Sequence, residues 1–193
     1  MILNEKWLPL HIVMSNFTEE LAKLHQLSGA DFSRHVESIA LRKEFHPLET
    51  DKDIFTVGGE KDQDYQNLLT AARKAVEFGY KVYILPNPNK TRTPDFILYK
   101  KGVYRIYDLK TVFGKSSVEE SLHSSIGQCD SILLNLTIEY NTRRLALAIK
   151  SYFEVNEKAI EVLIFKGRKR VLVKRSLALN SNFLRMFIKL YER

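Results

Sequence analysis

The stretch that decides the fold is PDFILYKKGVYRIYDLKTV, residues 94–112. Apolar and aromatic residues dominate two runs, 96–99 and 103–112, and the three residues Lys100, Lys101 and Gly102 lie between them. Runs of this composition on either side of a short turn that contains glycine are typical of a β-hairpin. The stretch therefore predicts two antiparallel strands with a turn at 100–102.

The pattern on both sides of this hairpin predicts layers of helices and strands. Before it, residues 60–78 carry leucine and alanine at helical spacing, Gly79 ends that helix, and residues 80–85 form a strand. After it we expect a helix over 117–128, a buried strand over 131–136, a helix over 141–154, a hairpin of 159–165 with 170–173, and a terminal helix over 183–191. The order predicts a mixed α/β fold with an αβββαβ core.

Residues 1–57 predict a separate helical segment. Apolar residues recur at helical spacing over 17–27, and again from Asp31 or Ser33 to Leu41. Gly29 is the expected end of the first helix, and His46 with Pro47 ends the second. We therefore expect an N-terminal helical segment over 1–57 and a second domain over 58–193.

Composition excludes several classes of protein. The chain has 193 residues, of which 45% are hydrophobic and 27% are charged, as in globular proteins. No apolar run approaches the roughly 18 residues that a membrane span needs. The single cysteine, Cys129, excludes an internal disulfide framework and a cysteine-based zinc site. We therefore expect a cytoplasmic, reducing compartment.

The net charge of +7 is unevenly distributed along the chain. Residues 1–57 hold 6 Lys/Arg against 9 Asp/Glu, whereas residues 150–193 hold 11 against 4. Such a basic body favours a polyanion partner, and nucleic acid is the leading candidate. The densest basic group is a candidate contact to phosphates, and a solvated hairpin is the equal alternative. Its members are Lys166, Arg168, Lys169, Arg170, Lys174 and Arg175, and the first four are the predicted contacts.

Asp95 and Asp108 form the candidate chemical centre. If the turn pairs Tyr99 with Tyr104, Asp95 lies opposite Asp108, and strand alternation places Asp108 and Lys110 on one face. Paired carboxylates suit Mg²⁺ or Mn²⁺, which prefer oxygen ligands. Such an ion polarises a phosphoryl oxygen, and a nearby lysine can orient water or offset developing charge.

Several neighbours strengthen this hypothesis. Glu60 follows two glycines at a predicted helix start and is a candidate third acid. Lys90, Arg92 and Lys115 border the cluster, as phosphate binding requires. The alternative is that the aspartates and the lysine are only a solvated strand face and a turn, because Asp-x-Lys arises often by chance.

The residues Pro94-Asp95 and Asp108-Leu109-Lys110, with the αβββαβ order, resemble the PD-(D/E)XK phosphodiesterase superfamily, which includes many restriction endonucleases. The resemblance implies that Asp95 and Asp108 are metal ligands and that Lys110 is the catalytic lysine. Glu60 would match the acid of the first core helix, and Gln128 a polar residue on the helix after the meander. The second acid is Asp108 where glutamate is commoner, which shortens that ligand by one methylene.

A longer pattern, from Gly58 to Gln128, looks like the C-terminal nuclease domains of contact-dependent growth inhibition toxins and related phage and mobile-element proteins. The resemblance implies a Mg²⁺- or Mn²⁺-dependent endonuclease that hydrolyses phosphodiester bonds of DNA or tRNA. For a toxin it also implies an immunity protein as partner and delivery into another cell. Two alternatives remain open: a nucleic-acid-binding module without catalysis, and a phage or conjugation protein whose core only docks partners.

Overall fold

The computed structural model describes residues 10–58, 63–87, 93–113 and 117–192. Within these residues, eight strands form one mixed sheet in which each strand lies beside the next in the chain. The strands are β1 His46–Pro47, β2 Ile54–Thr56, β3 Lys81–Ile84, β4 Phe96–Lys100, β5 Val103–Val112, β6 Ser131–Leu136, β7 Glu161–Lys166 and β8 Lys169–Lys174.

Helices lie before, between and after the strands. They are α1 Leu10–Lys23, α2 Gly29–Ala40, α3 Gln63–Glu77, α4 Val118–Ser124, α5 Thr142–Val155, α6 Arg175–Ala178 and α7 Phe183–Glu192. None of the helices in the described ranges is both long and apolar enough to span a bilayer.

The predicted mixed α/β class is confirmed. From α3 to β6 the elements follow the expected order, which is a helix, three strands, a helix and a strand. Strands β3, β4 and β5 are antiparallel neighbours, whereas β5, β6 and β7 run parallel. The parallel pairs are joined by α4 and α5, as crossover connections require.

The β4–β5 hairpin has the predicted register. Phe96 pairs with Tyr107 and Lys100 with Val103, which leaves Lys101 and Gly102 as the turn. Both turn residues have left-handed backbone, with φ of 52° and 81°. Two positive φ angles define the type I′ turn, whose twist matches that of the flanking strands. The turn therefore fixes which residues of β4 and β5 are opposite one another.

The N-terminal segment contains two helices, as predicted, and also two strands that the sequence pattern did not indicate. The predicted helix bounds were wrong, because α1 begins at Leu10 rather than at residue 17, and Gly29 begins α2 rather than ending the first helix. Strand β2 runs parallel to β3 and extends the sheet, and β1 pairs with β2. Helices α1 and α2 pack on the sheet through a shared cluster that includes Phe17 and Ile39 from the helices and Ile97 and Ile106 from β4 and β5. The segment therefore covers one side of the central strands.

Alternating residues of β4 and β5 face two different layers. Ile97 and Ile106 pack against α1 and α2, on what we call the α1–α2 face. Phe96 and Tyr107 pack in a second cluster with alanines of α3, on what we call the α3 face. A third cluster joins β5–β8 with α4, α5 and α7. Asp95 and Asp108 have the sequence parity of Ile97 and Ile106, so their side chains belong to the α1–α2 face.

Candidate active site

Asp95 comes directly before Phe96, the first paired residue of the β4–β5 ladder. Its N–H donates to the carbonyl oxygen of Tyr107, the partner of Phe96, at 2.9 Å, so Tyr107 faces both residues and regular pairing ends at this point. Its Oδ2 accepts a hydrogen bond from the N–H of Leu109 at 2.7 Å. The two carboxyl groups are close enough to interact electrostatically. The two carboxyl groups therefore lie side by side as expected, although the two residues are not a regular ladder pair.

Lys110 is bound to both Asp108 and Gln128. Asp108 is only 3% exposed, and the Lys110 Nζ lies 2.9 Å from its Oδ2. The same ammonium donates to the Gln128 Oε1 at 3.1 Å, and the Gln128 Nε2 donates to the Ser124 carbonyl at 3.2 Å. The structure thus brings four of the five predicted catalytic residues together: Asp95, Asp108, Lys110 and Gln128.

Gln128 reaches this cluster from a turn, so its predicted position on a helix was wrong. Helix α4 ends at Ser124 rather than at residue 128. Gly127 has φ of 82°, a left-handed conformation that does not continue a right-handed helix. The N–H of Gln128 donates to the carbonyl of Ser125 at 3.0 Å, which closes the turn. Gly127 therefore sets the direction in which Gln128 leaves α4.

The two aspartates shift each other's protonation. Burial, and then the charge of Asp108, raise the pKa of Asp95 to about 7, although the N–H of Leu109 opposes the shift. Burial also raises the pKa of Asp108, against the opposing effect of the Lys110 ammonium. One cation therefore does not fully compensate the two carboxylates, and the pair favours either a shared proton or a second positive charge.

The donors in this cluster fit a hard divalent cation. The Oδ2 of Asp108 is fully buried and, apart from the Lys110 ammonium, has no regular hydrogen-bond partner among the described residues. Carboxylate oxygens are the ligands that Mg²⁺ uses, and it keeps several waters in its remaining positions. The described ranges contain no group of three or more His, Cys, Asp or Glu side chains with metal-binding geometry. Within those ranges, the proposed ligand set is the aspartate pair.

Four predicted site residues fall outside the described residues. They are Glu60, the candidate third acid, and the basic residues Lys90, Arg92 and Lys115. Their roles stay predictions.

The predicted basic hairpin is partly occupied by contacts within the chain. The Lys166 Nζ lies 2.6 Å from a carboxylate oxygen of Glu139 and 4.6 Å from the centre of the Tyr191 ring. The Lys169 Nζ donates to the carbonyl of Glu192 at 3.0 Å. Arg170 donates to the hydroxyl of Tyr80, and Arg168 is exposed. The four cations therefore differ in how freely they can contact a ligand.

Sequence reasoning missed a buried ionic network on the α3 face. Glu161, at the start of β7, is completely buried and accepts hydrogen bonds from the Tyr107 hydroxyl and the Arg105 guanidinium. Both donors lie on β5, two strands away, in the strand that carries Asp108. A glutamate that begins the apolar run EVLIF was the available signal, because an unpaired carboxylate is costly to bury.

Comparisons with known proteins give one structural likeness. No protein-family model matches the sequence, and no curated protein is significantly similar to it. A solved structure with a distant likeness to this chain is a CdiA-CT/CdiI toxin and immunity complex from Burkholderia pseudomallei, at 16% identity and a TM-score of 0.40. The likeness covers 61% of this chain and 92% of that one.

Proposed function

We propose that this protein is a metal-dependent nuclease that hydrolyses phosphodiester bonds. The supporting observation is the cluster on the α1–α2 face, where Asp95 and Asp108 are cross-strand neighbours and Lys110 bridges Asp108 and Gln128. Two acids and one lysine in this arrangement are suited to a reaction in which a phosphate gains negative charge beside an activated water.

Each side chain has a distinct role in this proposal. Asp95 and Asp108 would hold a Mg²⁺ or Mn²⁺ ion, which when bound supplies Lewis-acid polarisation of the phosphate and lowers the pKa of water. The Lys110 ammonium holds its protons next to Asp108 and can donate them to a phosphate oxygen or orient the attacking water. Gln128 fixes the direction of that ammonium through its amide oxygen.

The second acid distinguishes this proposal from a structural ion pair. Asp108 and Lys110 alone would form a charge-compensated contact within one strand. Asp95 adds a second carboxylate to the same space, and burial, followed by the charge of Asp108, raises its pKa. Holding two buried carboxylates together costs free energy. A nucleic-acid-binding module without catalysis has no use for such a pair, whereas a cation site uses both carboxylates as ligands.

Cleavage assays with three substrates test the proposal. The purified chain is incubated with plasmid DNA, single-stranded DNA and total tRNA, with Mg²⁺ and with EDTA. We expect Mg²⁺-dependent cleavage of at least one substrate, and its loss in Lys110→Ala. Lys150→Ala is the matched control, because Lys150 pairs with Glu154 on α5, away from the cluster.

Two outcomes would overturn the proposal. If no substrate is cleaved by a folded chain that still binds nucleic acid, the protein is the binding module. If Lys110→Ala cleaves as fast as the unaltered chain, the hydrolytic site lies elsewhere. The assay also compares DNA with tRNA as the substrate. An immunity protein as partner stays a prediction.

A further inference from the structure

Three cations from three strands converge around Tyr80. The Lys100 Nζ lies 4.8 Å from the centre of the Tyr80 ring, and the Arg170 guanidinium carbon lies 5.7 Å from it. Arg170 also donates to the Tyr80 hydroxyl. Arg105 is close enough to Tyr80 to interact with it electrostatically. We call these four residues the Tyr80 cluster.

The Tyr80 cluster lies on the α3 face, opposite the aspartates. Alternate residues of a strand share a face, so Lys100 lies on the same face of β4 as Phe96, and Arg105 on the same face of β5 as Tyr107. Phe96 and Tyr107 both pack with α3. Arg170 pairs across the ladder with Phe165, which belongs to the same apolar cluster. The Lys100 ammonium donates to the carbonyl of Phe78, just past the end of α3. The cluster therefore surrounds the C-terminal end of that helix.

Among the residues that the structure describes, two of the three cations have no acidic partner. The one carboxylate bound to the cluster within those residues is Glu161, which is completely buried and is bound to Arg105 and Tyr107. Within the described ranges, neither Lys100 nor Arg170 has a carboxylate within ion-pair distance; their recorded partners are a carbonyl and a phenol. Burial, and then the charges of Arg170 and Lys101, lower the pKa of Lys100. The cations therefore repel one another, and a bound anion would relieve that repulsion.

We infer that the Tyr80 cluster is a second binding surface for the phosphate backbone of a polynucleotide. Guanidinium and ammonium groups are the usual donors to phosphate oxygens, and they bind the phosphate backbone without regard to base sequence. Arg105 is 43% exposed and Arg170 is also exposed, so a bound phosphate would remain partly in solvent, as a nucleic-acid backbone does. The inference rests on the proposed function, because it extends the contact with the same substrate class.

The position of the cluster limits which polynucleotides can use it. Arg105 and Asp108 are three positions apart on β5, about 10 Å along the strand, and their side chains leave opposite faces of the sheet. A strand of a few nucleotides bound at the aspartates would not also reach the Tyr80 cluster. We therefore expect the cluster to favour long or folded polynucleotides over short oligonucleotides.

Binding measured in EDTA tests this inference separately from catalysis. The probes are fluorescently labelled tRNA and a labelled single-stranded hexanucleotide, followed by anisotropy. For Lys100→Ala/Arg170→Ala we expect the Kd for tRNA to rise about 10-fold or more, since each charged hydrogen bond contributes that order of affinity. We expect a shallower salt dependence for tRNA, and an unchanged Kd for the hexanucleotide.

A second double variant controls for the loss of charge alone. Arg143→Ala/Arg185→Ala removes the same charge from exposed positions on α5 and α7. Equal weakening by the two double variants, or no weakening by either, would overturn the inference. Arg170→Ala alone, at an exposed strand position, repeats the test if the double variant does not fold. Displacement of tRNA by polyglutamate at equal charge would assign the surface to acidic proteins and also overturn it.

The outcomes separate this inference from the proposed nuclease. Cluster-dependent binding of tRNA without Mg²⁺-dependent cleavage supports the second surface and contradicts the nuclease. If Lys100→Ala/Arg170→Ala cleaves the substrate and binds tRNA as well as the unaltered chain does, the result supports the nuclease and contradicts the second surface.

Discussion

At the scale of single residues, Lys110 and Gln128 have unequal roles that mutation can separate. Lys110→Ala removes the ammonium that contacts Asp108, and we expect turnover to fall by roughly 100-fold or more, the usual cost of losing such a group. Gln128→Ala removes only an acceptor of that ammonium, so we expect a smaller fall. Single-turnover cleavage rates at saturating protein measure both effects.

The KM for the substrate provides the control for this comparison. Because the proposed roles of both side chains are at the reacting phosphate and not along the rest of the backbone, we expect KM to change little in both variants. A Gln128→Ala rate as low as that of Lys110→Ala would contradict the assigned order and give Gln128 a direct part in the chemistry.

The raised pKa of Asp95 predicts that the stability of the metal-free protein depends on pH. Its pKa in the folded chain is about 7, above its ordinary 3.8, so between these values the folded state keeps a proton that the unfolded chain has released. Stability therefore falls as pH rises from about 4 to about 7. We expect Asp95→Asn to lose this part of the fall, because an amide does not titrate.

Denaturant unfolding in EDTA at several pH values measures this effect. The difference between the unaltered chain and Asp95→Asn isolates the aspartate pair from the histidines, which titrate in both proteins. If the two free energies of unfolding change in parallel with pH, the carboxyl groups are not strained by their proximity and the explanation of the raised pKa is wrong.

At the scale of elements, Glu161 connects β7 to β5 across β6. Ser131 of β6 pairs with Glu161, and the Tyr107 hydroxyl of β5 donates to the Glu161 carboxylate from two strands away. Tyr107→Phe would leave a fully buried carboxylate oxygen without its donor. We expect this change to cost about 1–3 kcal/mol of stability, measured by urea denaturation.

Tyr99→Phe is the matched control, since Tyr99 is a partly buried tyrosine of the same hairpin, with its ring centre 4.6 Å from that of Tyr104. We expect its effect to be smaller. Equal costs for the two variants would show that Glu161 does not depend on the Tyr107 hydroxyl.

The elements also show what the sequence could and could not predict. The nearness of Asp95 and Asp108 was predictable because the hairpin with a two-residue turn at Lys101 and Gly102 has one register, but the end of regular pairing at Phe96 was not. Strands β1 and β2 were not, because two or three residues are too few to show a period. Helix α4 was predicted too long because its serine-rich end gave no clear stop before Gly127.

At the scale of the whole molecule, the two faces of the sheet divide the charge. The aspartates lie on the α1–α2 face and the Tyr80 cluster on the α3 face. The net charge of +7 was readable from the sequence, but the partners of individual cations were not. Lys166 contacts Glu139, and Arg170 contacts Tyr80 from a position 90 residues away, and only the folded chain brings such groups together.

Binding of a divalent cation by the intact chain is the most direct test of the aspartate pair as a metal centre. Mn²⁺ titration followed by electron paramagnetic resonance should show a bound ion in the unaltered protein and in Lys110→Ala, since Lys110 is not a ligand. Asp108→Asn should weaken binding by at least 10-fold, because it replaces a charged oxygen ligand with a neutral amide. Absence of binding in the unaltered folded chain, or equal affinity in Asp108→Asn, would contradict the metal centre.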